Sequence, residues 1–236
     1  VDRIQRKKLK EDKFAQEVGA GVSWIDHHKG LVLRYGGIVL AVAVIVGGIY
    51  FYIRYQSNTR EEALSNALRI DTATVGPAPV AGVANYATQE EKDKARAKAL
   101  SELAAKYHGS EEGGIAEMYL ASDAADKGDF ANAERMYKEI ADSAPKGLGS
   151  MARLALANVY IAEGKSADGE KVLRDLVANP TATVSKEEAT LNLAKILVKS
   201  NCSEARKLLE PLRITDRSAI SRQAVTTLGE TAACSN

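Results

Sequence analysis

The chain has 236 residues and a mass of 25.3 kDa, with 32 basic and 31 acidic side chains, a net charge of +1 and a mean hydropathy of −0.21. Near-neutrality excludes a global basic surface for nucleic acid, and an apolar share of 45% excludes disorder along the whole chain. Two cysteines are too few for a disulfide scaffold or a four-cysteine zinc site, and five prolines and three phenylalanines are few for a β-sandwich.

Residues 1–34 read as a cytoplasmic basic segment with eight Lys/Arg. Phe14, Val18, Val22 and Ile25 recur at helical steps beside Trp24. The segment is either a short amphipathic helix on an anionic leaflet or a disordered basic tail, and the tail suits Arg3–Lys13 better. His27 and His28 point about 100° apart on any helix and make a poor metal site.

Residues 35–53 hold no charge and lie between Arg34 and Arg54. At about 1.5 Å per residue they span about 28 Å, the thickness of a bilayer core. Tyr35 at one end and Tyr50, Tyr52 and Tyr55 at the other fit the aromatic belts of the two interfaces. Three Lys/Arg in residues 54–73 against eight before the span place the N-terminus in the cytoplasm. The apolar run is longer than that of a cleavable signal peptide, and no small-x-small site follows Tyr55, so an uncleaved signal anchor is expected. Gly37, Ala41 and Gly48 fall on one stripe, which reads either as a helix-docking face, for a second copy or a partner, or as the small residues common in any transmembrane helix.

Beyond the span, residues 54–236 read as helical. Residues 58–70 begin with a candidate cap, Asn58 or Thr59, or extend the membrane helix outward. Residues 72–87, uncharged with two prolines, read as a long loop. Thr88 then caps a helix to about Tyr107.

The next hundred residues repeat. Ala121 and Ala124 precede Gly128-Asp129-Phe130, with Ala133, Tyr137, Ile140 and Pro145 after it. Ala157 and Tyr160 precede Gly164, followed by Gly169, Leu173, Leu176 and Pro180. Leu193 and Ile196 precede Ser200, followed by Ala205, Leu209 and Leu212. The turns at 128, 164 and 200 stand 36 residues apart. Each unit is therefore a pair of antiparallel helices, close-packed where small residues face each other and stacked on the next pair. Repeats are expected near 114–147, 150–182 and 186–214, with a capping helix over 217–231. The fold class is all-α: one N-terminal transmembrane helix, then an α-solenoid.

No catalytic chemistry is evident. There is no phosphate loop, no G-x-S-x-G and no H-E-x-x-H, and beyond residue 28 His108 stands alone. The acid pairs Glu111-Glu112 and Glu187-Glu188 read as helix-start charges. The chain is expected to be no enzyme, with no cofactor, metal, nucleic acid or small-molecule substrate.

The A…GDF..A…Y..I….P run of residues 121–145 resembles the tetratricopeptide repeat. The second unit departs with Gly169 for alanine and the third with Ser200 for the turn glycine. Segment 99–114 looks like the second helix of an earlier, irregular repeat, with His108 in place of proline and 58–70 as its first helix. The resemblance implies a partner groove on the first helices at Met118, Ser122, Leu154, Asn158, Ile161, Thr190 and Leu197, positions that otherwise read as core between pairs. Met118 and Leu154 stand where relatives that grip a C-terminal carboxylate carry lysine. In a right-handed stack Cys202, in the third turn, approaches Cys234, past the capping helix; the two form a disulfide or remain unrelated thiols.

The span within WIDHHKGLVLRYGGIVLAVAVIVGGIYFY (24–52), the REEALSNA helix (60–67) and the repeats together resemble the YfgM-like family of bacterial inner-membrane proteins. That resemblance implies a membrane-anchored, chaperone-like adaptor associated with the Sec translocon and a periplasmic chaperone. The alternative is an accessory subunit stabilising a larger respiratory or photosynthetic membrane complex.

Overall fold

The computed structural model describes residues 29–77 and 81–232. The basic segment with Phe14, Val18, Val22 and Ile25, the histidine pair and Cys234 lie outside the described residues. The chain divides into two compact units, Val1–Thr59 and Arg60–Asn236.

Helix α1 (Lys29–Arg69) is continuous for 41 residues and carries the uncharged run 35–53. No proline interrupts it, so every backbone group inside it finds its own partner. The extension reading of residues 58–70 holds and the cap reading fails. Thr59 Oγ1 donates to the Tyr55 carbonyl at 2.9 Å, a bond made within an unbroken helix. From Tyr35 to Tyr55 the large apolar side chains of the first unit are exposed, Leu40 at 68% and Phe51 at 76%. The helix is long and apolar enough to cross a membrane.

In the second unit, a 3₁₀ turn (Ile70–Thr72) ends α1. The stretch expected as pure loop holds a two-residue bridge. Strand β1 (Thr74–Val75) pairs in parallel with β2 (Asn85–Tyr86), Thr74 opposite Asn85. Thr74 Oγ1 donates to Asn85 Oδ1 at 2.8 Å, and Asn85 Nδ2 donates to the Gly76 carbonyl at 2.9 Å. Those side-chain bonds substitute for the hydrophobic alternation that normally announces a strand.

Helix α2 (Gln89–Lys106) starts as expected, with Thr88 accepting from the Glu91 amide at 3.2 Å, while Glu91 accepts in return from the Ala87 amide. Three antiparallel pairs follow: α3 (Glu111–Asp126) with α4 (Phe130–Ser143), α5 (Lys146–Ala162) with α6 (Ser166–Ala178), and α7 (Lys186–Ser200) with α8 (Cys202–Leu209). A 3₁₀ segment (Glu210–Ile214) and α9 (Ser218–Thr231) close the unit. The architecture is the expected all-α solenoid of helix pairs.

The close-packing logic is visible atom by atom. Ala121 and Ala133 are fully buried against each other's helices, with Tyr137 and Ile140 filling towards Leu148 and Ala152 of the next pair. A Cβ on Gly169 would stand 3.0 Å from the Ala157 carbonyl oxygen, so glycine there lets the two helices approach closely. Leu173, Leu176, Leu193 and Leu197 form the following layer, and Leu191, Leu209 and Leu212 seal it against Ala224 of α9. Ahead of the repeats, Ala67 of α1 packs with Leu100, Leu103 and Ala104 of α2 and with Ala116 of α3, while segment 99–114 divides between the end of α2 at Lys106 and the start of α3 at Glu111.

The third turn differs from the other two. Gly128 and Gly164 adopt φ of +79° within three-residue links. Ser200 instead ends α7, and Asn201 (φ −148°) is the whole link. A non-glycine residue resists the left-handed region. The chain turns at Asn201 with a negative φ and ψ of 73°, and Asn201 Oδ1 caps α8 by accepting from the Glu204 amide at 3.3 Å. Pro211 then stops regular α-helix within one turn.

Polar clamps hold the first layer. Lys92 Nζ donates to the carbonyls of Asp71 and Ala73, both at 2.8 Å, satisfying acceptors left open where α1 ends. Arg96 reaches Asp71 at 2.7 Å and both oxygens of Asp123, with its guanidinium 5.5 Å from the Tyr119 ring centre. Burial works against the Arg96 charge, but the Asp123 bonds and charge, with Asp71, outweigh it and hold its pKa above the ordinary value. Glu112 stands in the first turn of α3, as a helix-start charge, and is also buried and paired with Arg60 at 3.1 Å. Glu187 behaves as expected: its own amide at the start of α7 holds its carboxyl below the usual range.

Candidate partner-binding groove

The first helices of the pairs, α3, α5 and α7, present the face on which a groove was expected. Two separate hollows lie there. The larger, about 670 Å³, runs between α3 and α5 and is lined by Ile115, Met118, Tyr119, Ser122, Leu148 and Met151, with the Tyr137 ring at its floor. The second, about 560 Å³, lies between α5, α7 and α9 and is lined by Leu154, Asn158, Leu191, Lys195, Arg217 and Ile220.

Helix α3 builds its wall from one stripe. Ser110 caps it by accepting from the Gly113 amide at 3.1 Å. Gly113 fits against the Tyr107 carbonyl and Gly114 against Leu148, so that α3 enters closely between α2 and α5. Glu111, Ile115, Met118 and Ser122 then follow at steps of three and four towards the groove. Tyr137 is buried to 5% exposure, and burial raises its phenol above the ordinary pKa. Ser122 lines the same hollow. Met151 remains 44% exposed and Tyr119 37%, so the hollow offers open apolar surface.

The seven expected groove residues therefore separate. Met118 and Ser122 line the first hollow, and Leu154 and Asn158 the second. Ile161 packs on Gly169 between the two helices of its own pair. Thr190 and Leu197 are not groove residues. Leu197 is 2% exposed within the α6–α7 core, and Thr190, 9% exposed, donates its hydroxyl to the Lys186 carbonyl at 2.7 Å. Helix α7 turns Leu197 towards α6 and α8, where it packs with Leu173, Leu176 and Ala205. Ile115, Tyr119, Leu148 and Met151 were missed. Met151 stands 36 residues after Ile115, as Leu154 does after Met118, so the repeat offset applied one turn earlier would have found it.

On another face, Glu134 of α4 accepts from Lys138 Nζ at 2.5 Å and from Lys165 Nζ at 2.9 Å. These bonds, Lys138's first, hold its carboxyl down to about 2, and Lys138 and Lys165 are raised in return. Both lysines also sit over the Tyr160 ring, at 5.7 and 5.8 Å. This cluster ties α4 to the α5–α6 turn.

Gly37, Ala41 and Gly48 are exposed along α1, and a Cβ added at Gly37 or Gly48 would meet nothing within 4 Å. Cys202 opens α8 with its Sγ 3.7 Å from the Thr231 carbonyl at the end of α9. Arg206 Nη2 donates to the same carbonyl at 2.9 Å. Among the described residues no group of histidine, cysteine and carboxylate side chains is arranged to hold a metal.

The fold and the groove are those of a protein-interaction module. A family model described as a tetratricopeptide repeat-like domain matches residues 24–183, and the chain belongs to that family. The match runs from ahead of α1 through α6, and the pair with the atypical turn lies beyond it. No match was found among curated proteins or solved structures.

Proposed function

We propose that the chain is a single-pass adaptor of the bacterial inner membrane. Residues 1–34 are cytoplasmic, 35–53 cross the membrane, and 54–236 form a periplasmic tetratricopeptide-like domain. It acts as a chaperone-like, protein-binding subunit beside the Sec translocon and a periplasmic chaperone, as in the YfgM-like proteins it resembles. The observation that carries the reading is the coupling, in one chain, of an uncovered apolar helix to a repeat unit with an open apolar groove. The excess of basic residues ahead of the span supports the orientation.

The exposed stripe at Gly37, Ala41 and Gly48 favours a second reading, an accessory subunit that joins a respiratory or photosynthetic complex through its helix. Purification in a mild detergent followed by mass spectrometry separates the two. Translocon subunits and a periplasmic chaperone are expected. Recovery of an electron-transfer complex without them overturns the first reading.

A disulfide between Cys202 and Cys234 belongs to the same proposal. The approach of Cys202 to Thr231, three residues before Cys234, supports it, as does the absence of a free thiol among the described residues. Closing a loop of this length stabilises by about 3–4 kcal/mol in the chain-entropy account. Alkylation of the unreduced protein is expected to leave its mass unchanged, and addition of two alkyl groups contradicts the bridge.

A further inference from the structure

The hollow between α3 and α5 has a charge pattern that its apolar lining does not explain. Among its described lining residues Glu111 carries the one charge, at the start of α3. Asp126 ends the same helix and continues the same stripe, four residues after Ser122. Its field reaches the Tyr137 phenol on the floor of the hollow. Both carboxylates are exposed, and neither makes an ion pair among the described residues. The acids around them are otherwise committed: Asp123 to Arg96, Glu112 to Arg60 and Glu117 to His108. Two unpaired acids thus stand along one helix, Glu111 in the lining of an apolar floor built from Ile115, Met118, Tyr119, Leu148 and Met151, and Asp126 at the far end of α3, one turn past Ser122.

We infer that this groove takes an apolar peptide segment flanked by basic residues. The inference rests on the adaptor reading above and names the chemistry of the partner. Fifteen helical steps separate Glu111 from Asp126, about 22 Å. An extended peptide covers that distance in about seven residues, so a core of five or six apolar side chains with a Lys or Arg at each end fits the site. Methionine side chains rearrange around differently shaped neighbours, so the floor selects for apolarity more than for sequence. The exposed carboxylates supply selection against acidic flanks.

The test uses the full chain in lipid nanodiscs and three fluorescent peptides sharing one Leu/Val/Ala core, flanked by Lys, by Gln or by Glu, read by anisotropy against empty nanodiscs. The Lys-flanked peptide is expected to bind most tightly, with the Gln form weaker by about threefold to tenfold and the Glu form weaker still. Glu111→Gln with Asp126→Asn should abolish the difference between the Lys and Gln forms. Both positions are exposed and unpaired, so that variant is expected to fold, with its melting temperature lowered by no more than the loss of one helix-start charge at Glu111 brings. Met151→Glu, also at an exposed site, should weaken all three peptides by tenfold or more. Equal binding of the three peptides, or Met151→Glu binding as wild type, overturns the inference. Loss of this discrimination while translocon subunits still co-purify removes the inference and leaves the adaptor reading standing. Loss of the translocon subunits with discrimination intact does the reverse.

Discussion

The two units handle the same kind of side chain in opposite ways. Along the apolar part of α1, Leu40, Val44 and Phe51 are more than half exposed, whereas Leu100, Leu173 and Leu209 in the second unit are fully buried. Burial of a leucine contributes about 1.5–3 kcal/mol in water, so the second unit carries its own driving force for folding. The first gains nothing from water; its backbone is satisfied within one helix and its side chains await a nonaqueous surrounding. Stability and location are thus written in separate stretches of one chain.

That separation can be broken most strongly at the helix. Val42→Arg with Val44→Arg places two charges in the apolar run, each costing about 2.5–3.5 kcal/mol at a bilayer centre. Alkaline extraction of membranes should release the double variant and leave the wild type behind. Denaturant unfolding of the second unit should be unchanged by it.

Leu173→Ala is the reverse case. It should lower the unfolding free energy of the second unit by about 2–5 kcal/mol without altering membrane retention. Leu40→Ala, the same deletion at an exposed site on α1, should leave that unfolding transition where it is.

A smaller effect sharpens the contrast among the repeats. Gly164→Ala forces a Cβ into a φ of +79° and should cost about 1–2 kcal/mol. Asn201→Ala, at the turn without glycine, loses the cap of α8 and should cost about 1 kcal/mol. Equal insensitivity at both turns in thermal melts would contradict the account of how each is closed.

The smallest effect is in pH. Glu134 is held at about 2, below the ordinary carboxylate value of 4.5. Its ion pairs therefore stabilise fully above about pH 5, and the contribution falls away as pH drops from 4.5 towards 2. Glu134→Gln should flatten that part of the stability profile, measured by melting at fixed ionic strength.

Much of this organisation was legible in the sequence. The glycines at 128 and 164, the small residues facing across the first two pairs and the Thr88 cap are local signals with local causes, and the structure places them as read. What escaped depends on contacts distant in the chain. Thr190 and Leu197 share the spacing of groove residues, but Leu197 packs against α6 and α8 and Thr190 bonds back to its own helix. The pairing of Thr74 with Asn85 rests on side-chain hydrogen bonds that no periodicity announces. The link at Asn201 was misplaced by one residue because, without glycine, the chain shortens its turn instead of preserving it. Glu112 reads as a helix-start charge, and its burial shows only once Arg60 is brought against it.

The central claim is that the apolar part of α1 fixes the repeat unit on the far side of a bacterial inner membrane from the basic N-terminal segment. A reporter active only outside the cytoplasm, fused after Asn236, tests it directly. The account predicts full reporter activity in intact cells. An inactive fusion, with a cytoplasmic reporter active at the same position, would contradict it and with it the orientation, the disulfide and the periplasmic partners.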